Sequence, residues 1–391
     1  MEVAKNIKTA TVELNTMKKK AILSVTNDLY TDPRVDKVCR SLLTMDYEVL
    51  LVGRCYRDSP LLTERTYQTK RLRLIFRKGF LFYAEYNLRL FFYLCFQKCD
   101  VLVANDLDTL LPNVLVSKLR NKKIVYDSHE YFCGILELKD RAFVRNVWKR
   151  IEKWCFPKLE HIITVSQSIA EQYKIEYNKD VKVVRNIPSV CKPPINESKE
   201  SLNLPIHQTI LILQGNAIHR DRGGEEIIEA MPLIENAFLL VIGSGDVIPD
   251  LKQRTAALQI SDRVRFIDRI PPEKLFNYTY FADIGIAFDK DVSLNHFFSL
   301  PNKIFDYIRA ETPYLSSNLP ERKFITEKYE TGVVLPQLTP QTIADTVNKL
   351  MKDKDFYQIL KENCKQAATE LTWENEEKTL KEIYKNLFVF D

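Results

Sequence analysis

The 391-residue sequence contains no Cys-x-x-Cys pair. Its eight cysteines are scattered, and no histidine stands near them at ligand spacing, which argues against structural zinc. They read as reduced thiols of a cytosolic protein. The first twenty residues lack the apolar stretch of a secretion signal. The longest uninterrupted apolar run, Leu90 to Phe96, is far short of the ~20 residues that span a bilayer. The chain is therefore expected to be cytoplasmic, neither exported nor transmembrane. Short-period repeats and low-complexity tracts are absent too, which excludes solenoids and disordered arrays.

What is there is a rhythm. Short apolar runs such as Ala21–Val25, Val49–Val52, Leu72–Phe76, Val101–Ala104 and Lys123–Tyr126 alternate with helical patterns such as Pro33–Thr44 and Phe82–Phe96. That alternation predicts βαβ units and parallel sheets. Residues 187–205 hold four prolines and few apolar side chains, the composition of a linker, and then the rhythm restarts. At ~150 residues per domain, two domains are expected. The predicted division is a tail at 1–20, a first Rossmann-like domain at 21–190, a linker at 191–206, a second Rossmann-like domain at 207–372, and a closing helix at 373–391 that packs back on the first domain. The fold class is α/β, two doubly wound domains facing a cleft, with ligands bound outside the carboxyl ends of the strands.

Several unusual segments follow strands. In the second half, Gly215-Asn216-Ala217-Ile218-His219-Arg220-Asp221-Arg222-Gly223-Gly224 combines glycines, which admit an anion to the backbone, with two arginines suited to a diphosphate. A solvated basic loop is the plainer alternative. Gly243-Ser244-Gly245 is half of a dinucleotide fingerprint, but Ile248 occupies the third glycine position, so a tight turn is expected there. In Pro301-Asn302-Lys303-Ile304-Phe305-Asp306, Pro301 suits a helix start. Lys303 and Asp306, three apart, share one helix face: either a surface ion pair, or a helix start whose carboxylate accepts from both ribose hydroxyls while nearby N–H groups hold phosphate.

In the first half, Asp127-Ser128-His129-Glu130 follows a strand, and a histidine there either caps a loop or meets a sugar hydroxyl. Asp106 and Asp108 either contact an acceptor or cap the next helix. Asp32-Pro33 reads as N-cap and first helical residue. Asn27 lies in the loop before it, and Arg34, one turn in, is expected to face the cleft and hold a phosphate.

The stretch "ADIGIAFDKDVSLNHFFSLPNKIFDYIRAETPYLSSNLPE", with "GNAIHRDRGGEEIIEAM", "LLVIGSGD" and "VRFIDRIPPEKL" before it, resembles the donor-binding half of family 4 glycosyltransferases. The resemblance covers the chain from Ala21 onward and implies the GT-B fold and a retaining mechanism. Carried over by position, Asp306 matches the second acid of the family's E-x7-E motif, which grips the ribose. Arg222 matches the basic residue facing the donor diphosphate, and Gly215 the glycine opening that loop. His129 matches the histidine at the sugar-binding centre, with Glu130 and Asp127 supporting it. Two positions depart from the pattern: Asn216 stands where a second basic residue is common, and Phe298 stands where the first acid would contact the transferred sugar.

The sequence-level expectation is thus a retaining glycosyltransferase of cell-surface polysaccharide biosynthesis. Its catalytic residues are His129, Glu130 and Asp127. Its donor site is Gly215, Asn216, Arg220, Arg222, Asn302, Lys303 and Asp306, and its acceptor side is Asn27, Arg34 and Asp106. The donor is a nucleotide-sugar and the acceptor a glycan or lipid-linked glycan. No metal and no cofactor are expected, because the phosphate charge meets Arg222 and helix dipoles. The alternatives are a non-catalytic partner in a polysaccharide-assembly complex and a nucleotide-sugar epimerase on the same fold. Residues 65–98 carry eight Lys/Arg against one acid, Glu85, with interleaved aromatics. This stretch is either a core helix with solvated cations or an anionic-membrane surface, which would make the protein peripheral on the inner face of the cell membrane. Nucleic acid is not an expected partner, since no recognised module is present.

Overall fold

A computed structural model describes residues 18–30 and 32–388. Of the expected tail, residues 1–17 lie outside the described residues, as do 389–391 of the closing segment. The first strands are β1 (Lys20–Ser24), β2 (Glu48–Cys55), β3 (Gln68–Arg73), β4 (Val101–Asn105), β5 (Lys123–Ser128), β6 (His161–Thr164) and β7 (Lys182–Val183). They form one sheet in the order β3-β2-β1-β4-β5-β6-β7. The second sheet holds β8 (Thr209–Gly215), β9 (Ala237–Gly243), β10 (Val264–Ile267), β11 (Ile284–Ala287), β12 (Tyr314–Ser317) and β13 (Gly332–Leu335), ordered β10-β9-β8-β11-β12-β13. Every pairing is parallel. Central strands such as β4 and β9 are buried along their whole length, as sheets covered on both faces require.

The covering helices of the first domain are α1 (Pro33–Thr44), α2 (Gly79–Phe96), α3 (Leu107–Arg120), α4 (Ala142–Cys155) and α5 (Gln167–Tyr177). Those of the second are α6 (Gly224–Ala230), α7 (Ile248–Ala257), α8 (Pro272–Phe281), α9 (Leu294–Phe298), α10 (Asn302–Arg309), α11 (Pro320–Tyr329), α12 (Pro340–Lys352) and α13 (Lys354–Glu370). A last helix, α14 (Trp373–Asn386), leaves the second domain and packs on the first. Its Trp373, Leu380, Ile383 and Tyr384 join the core formed by Val35, Val38, Leu42, Val49 and Leu51. Arg185 Nε donates to Glu376 at 2.9 Å and fixes the crossing.

Two sequence expectations change here. The strand expected at Leu72–Phe76 runs four residues earlier, as β3. It is an edge strand with mostly solvated polar side chains, so its apolar signal is weak. Ile75 and Phe76 leave the sheet because their amides donate to the Glu85 carboxylate, each at 2.9 Å. The expected linker is also not a free spacer throughout. Leu202 and Leu204 are buried in the second core beside Ile210 and Ile212, and the Asn196 amide donates to Asn277 Oδ1 at 3.0 Å.

Candidate active site

In a parallel doubly wound sheet the ligand crevice opens where the strand order reverses. That point lies between β1 and β4 in the first sheet and between β8 and β11 in the second. The candidate residues come from the loops at these carboxyl ends.

At the end of β5, Asp127 is buried. Arg34 holds it from α1, with Nη2 donating to Oδ1 at 2.6 Å and Nε to Oδ2 at 3.3 Å, while Nη1 donates to the Val184 carbonyl at 2.7 Å. Arg34 is only 3% exposed. The expectation that it faces the cleft is corrected: all three of its donating nitrogens are spent inside the domain. The reason is the helix face, since Arg34, Val35, Val38 and Leu42 are the side of α1 turned to the sheet.

His129 sits between two carboxylates, with Nε2 3.5 Å from Asp127 Oδ2 and Nδ1 3.4 Å from Asp106 Oδ2. Its backbone amide donates to Asp106 Oδ1 at 2.7 Å. Asp106 opens α3, but its side chain caps nothing; it turns to His129 instead. It holds φ 60° and ψ 166°, a region that costs on the order of 1–3 kcal/mol for a residue with a Cβ. Asp108 does not cap either: Thr26 Oγ1 donates to its Oδ2 at 2.6 Å.

The charges follow from this packing. Burial would raise Asp127, but Arg34 and His129 hold it well below the carboxylate range. Burial would lower His129, yet Asp106 and Asp127 push it up to about 9, so the ring is an imidazolium at neutral pH. Burial, with Asp106, Glu137 and Asp108 nearby, raises Glu130 to about 8 and leaves it protonated. Asn295, reaching over from α9, donates to Glu130 Oε2 at 3.0 Å and accepts from the Tyr131 amide at 3.0 Å.

The second domain gathers cations. Asp289, just past β11, is buried, accepting from Arg222 Nη1 at 3.1 Å and from Arg322 Nη2 at 2.6 Å. Lys303 lies in the same field. Burial lowers it to about 8, and Arg222 and Arg322 reinforce that against Asp289. Three cations thus surround one carboxylate. Arg222 Nε and Arg322 Nε have no hydrogen-bond partner among the described residues. Arg322, first turn of α11, was not a sequence candidate; its signal was only its place in the segment after β12. Asp306 shares the α10 face with Lys303. Gln214, oriented by Thr279 Oγ1 at 2.7 Å, points its amide at Asp306 Oδ2, 3.5 Å away. Burial raises Asp306 to about 6.

Other candidates lie elsewhere. Arg220 is exposed and pairs with Asp250 of α7 at 3.0 Å, away from Asp289, so the expectation of two loop arginines on one anion reduces to Arg222. Asn302 is exposed at the start of α10. Asn216 contributes its carbonyl, which accepts from Ser244 Oγ at 3.1 Å. Asn27 spends its side chain on its own loop, accepting from the Leu29 amide at 2.9 Å and donating to Asp32 at 2.7 Å. Gly215 and Gly243 pair across β8 and β9, and a Cβ on Gly243 would lie 1.9 Å from the Gly215 carbonyl. The Gly-Ser-Gly segment is therefore a close approach of two neighbouring backbones. Gly223 holds φ 78° at the start of α6, and a Cβ there would strike Phe288. Phe298 points into the junction, its ring 5.7 Å from that of Tyr131, with Ser166 Oγ donating to its carbonyl at 2.9 Å.

Two Asp-x-Asp triplets follow strands, at Asp106-Leu107-Asp108 and Asp289-Lys290-Asp291. That sequence pattern suggests a divalent cation. Here Asp106 is committed to His129, Asp108 to Thr26 and Asp289 to two arginines. Among the described residues no group of three His, Cys, Asp or Glu side chains is arranged to hold a metal.

Two facing parallel α/β domains with a cation-lined cleft define the GT-B class. The family model described as glycosyl transferases group 1 matches residues 195–370, and that of glycosyltransferase family 4 matches residues 34–187. The chain belongs to this group 1, family 4 set of glycosyltransferases. It is 30% identical over 146 residues to a D-inositol 3-phosphate glycosyltransferase of Corynebacterium urealyticum, covering 37% of this chain and 33% of that protein. The chain thus spans about a third of the length of that relative. Its fold matches sucrose-phosphate synthase of Thermosynechococcus elongatus with a TM-score of 0.78 at 17% identity, over 96% of this chain and 100% of that one. It also matches Anabaena HepE in complex with UDP and glucose, with a TM-score of 0.72 at 12% identity over 94% and 99%.

The His129 ring should titrate near pH 9 when followed by NMR. A midpoint at or below the ordinary 6.5 would place it outside the field of the two aspartates. Because the folded value is raised, its contribution to stability is full below about 6.5 and fades as pH rises through about 9.

Proposed function

We propose that the protein is a retaining, metal-independent glycosyltransferase that moves a sugar from a nucleotide-sugar donor to a glycan or lipid-linked glycan acceptor in cell-surface polysaccharide biosynthesis. The observation that carries this reading is the cluster of Arg222, Lys303 and Arg322 around Asp289, with the Asp306 carboxylate three residues on from Lys303 along α10. Three cations against one carboxylate leave two positive charges, the complement of a diphosphate. Asp306, on the same helix face as Lys303, accepts from the ribose hydroxyls in this reading.

In the reaction, the bond between the sugar's anomeric carbon and the diphosphate oxygen breaks, and its electron pair passes to the diphosphate. Arg222 and Lys303 stabilise the charge that develops there, while Arg322 holds Asp289 and so aims Arg222. The acceptor oxygen attacks from the same face. Its proton goes to the leaving phosphate oxygen, so no protein base is required. An imidazolium does not accept a proton, so His129 is not a general base; its ring nitrogens face the Asp106 and Asp127 carboxylates, and it offers the transferred sugar a positive charge. Asp106 and Asp127 keep it charged.

The stretch at 65–98 supports a further part of the proposal, peripheral binding at a membrane. Part of the stretch is core and part is exposed. Phe82, Tyr86, Leu90 and Leu94 of α2 are core, whereas Ile75, Phe76, Phe80, Phe92 and Phe96 are exposed. No helix among the described residues is long and apolar enough to cross a membrane. Exposed rings flanked by Arg73, Lys78 and Lys98 instead suit an anionic interface, where each cation contributes about 1 kcal/mol.

Asp306→Ala should weaken UDP binding about tenfold to a hundredfold in calorimetry, the worth of charged hydrogen bonds to the ribose. In the wild type, affinity should also fall as pH drops through about 6, where Asp306 protonates. An unchanged dissociation constant contradicts the assignment. Vesicle flotation tests the membrane part. The wild type should float with anionic liposomes, less so as salt rises. A Phe80→Ser/Phe92→Ser/Phe96→Ser variant should remain in solution. Equal recovery of that variant would leave the exposed rings without this role.

A further inference from the structure

A concavity of about 320 Å³ lies in the first domain, away from the second-domain cations. Thr26, Asn27, Arg54, Lys78, Phe82 and Tyr83 line it. Its size falls at the low end of ligand pockets, ~300–1,000 Å³. No lining residue is a carboxylate. Arg54 packs by cation–π contact on Tyr56, 4.8 Å from the ring centroid, and reaches no acidic partner among the described residues. Lys78 is exposed and likewise unpaired among them. Arg77, also at the wall, stacks 4.8 Å from the same Tyr56 ring and is matched bidentately by Asp58 at 2.8 and 2.6 Å. One arginine is thus neutralised, while Arg54 and Lys78 face the concavity uncompensated. The backbone at the start of α2 adds to this field: Lys78 is its N-cap and no side chain caps its amides.

Hydrogen bonds link the wall of this concavity to the candidate active site. Thr26 donates to Asp108 at 2.6 Å, and Asp108 stands two residues from Asp106, which holds the His129 amide at 2.7 Å. Tyr83 lies on the same path. Burial, with Asp108 and Glu130 nearby, raises its phenol to about 12. The concavity and His129 thus share the segment 106–108.

We infer that this concavity is an anion subsite that takes a phosphate or diphosphate group of the acceptor, held by Arg54 and Lys78 with the acceptor's reacting hydroxyl directed toward His129. The inference rests on the glycosyltransferase reading for the word acceptor, but the anion site stands on its own residues. A neutral sugar would leave two cations facing one small cavity without a counter-charge, and a phosphate ester resolves that. Two sources carry the group, a lipid-linked phosphate or a soluble sugar phosphate. The exposed Phe80 and Leu81, adjoining Lys78, make the lipid-linked source sterically open.

The test uses the full chain saturated with UDP, so that the donor cations are occupied, and pyrophosphate as the probe in titration calorimetry. The wild type should bind pyrophosphate under these conditions, and Arg54→Gln/Lys78→Gln should bind it at least tenfold more weakly with UDP affinity unchanged. Lys78→Gln alone, at an exposed position with no fold contact to lose, should give a partial loss. Absence of pyrophosphate binding to the UDP-saturated wild type, or equal binding by the double variant, overturns the inference. Farnesyl diphosphate and glucose 1-phosphate, each titrated in parallel, identify the source: tenfold tighter binding of either supports the site and names the acceptor class. A wild type that binds pyrophosphate at Arg54 and Lys78 but never binds UDP would contradict the glycosyltransferase reading while leaving this anion site in place.

Discussion

A carboxylate sealed inside a protein must be neutralised where it lies, and the first domain is arranged around one such group. Asp127 is buried at the end of β5, with Arg34 on one side and His129 on the other. Removing one partner of a buried pair of this kind costs about 3–5 kcal/mol. Arg34 also reaches the Val184 carbonyl, so the same guanidinium ties α1, β5 and the strand before the linker. The consequence for His129 is electrostatic. Two fixed carboxylates hold it charged, and the backbone around Asp106 accepts an unfavourable φ to bring the second one there. A positive ring is thereby held between the two carboxylates.

The second domain solves the mirror-image problem. Asp289 is the lone carboxylate among Arg222, Arg322 and Lys303, and it keeps cations together that would otherwise repel. The pocket stays net positive, which suits an anion that brings its own charge. The two domains meet through both charged and neutral groups: the Glu321 carboxylate accepts from the Ser168 amide, and Lys139 Nζ donates to the Val292 carbonyl. Asn295 bridges Glu130 and Tyr131, and the Phe298 ring lies on Tyr131. An acid at position 298 would be pressed against that aromatic surface, which gives a local reason for its replacement by Phe.

Much of this was readable in the sequence because local signals and the fold agree. Parallel strands buried on both faces appear as apolar runs, and the loops after them carry polar residues, so His129 and Arg222 stood out as strand-following residues, while Asp306 stood out through the helix face it shares with Lys303 and through the family resemblance. Long-range partners were not readable. Arg34 and Asp127 are 93 residues apart, and nothing in a local window says that the arginine turns inward. Arg322 and Asp289 likewise meet only once β11 and β12 are paired. β3 was displaced in the reading because an edge strand needs little apolar character. The side chains of Asp106 and Asp108 cap nothing because His129 and Thr26 claim their carboxylates.

In the proposed reaction the donor's own leaving group is the base, and arginine and lysine meet the phosphate charge. Both parts are read together by proton NMR of the protein in EDTA with a panel of nucleotide-α-hexoses, following the first free sugar released to water. The predicted result is turnover in EDTA with the α-anomer appearing first. Appearance of the β-anomer first, or loss of turnover that magnesium or manganese restores, would contradict it.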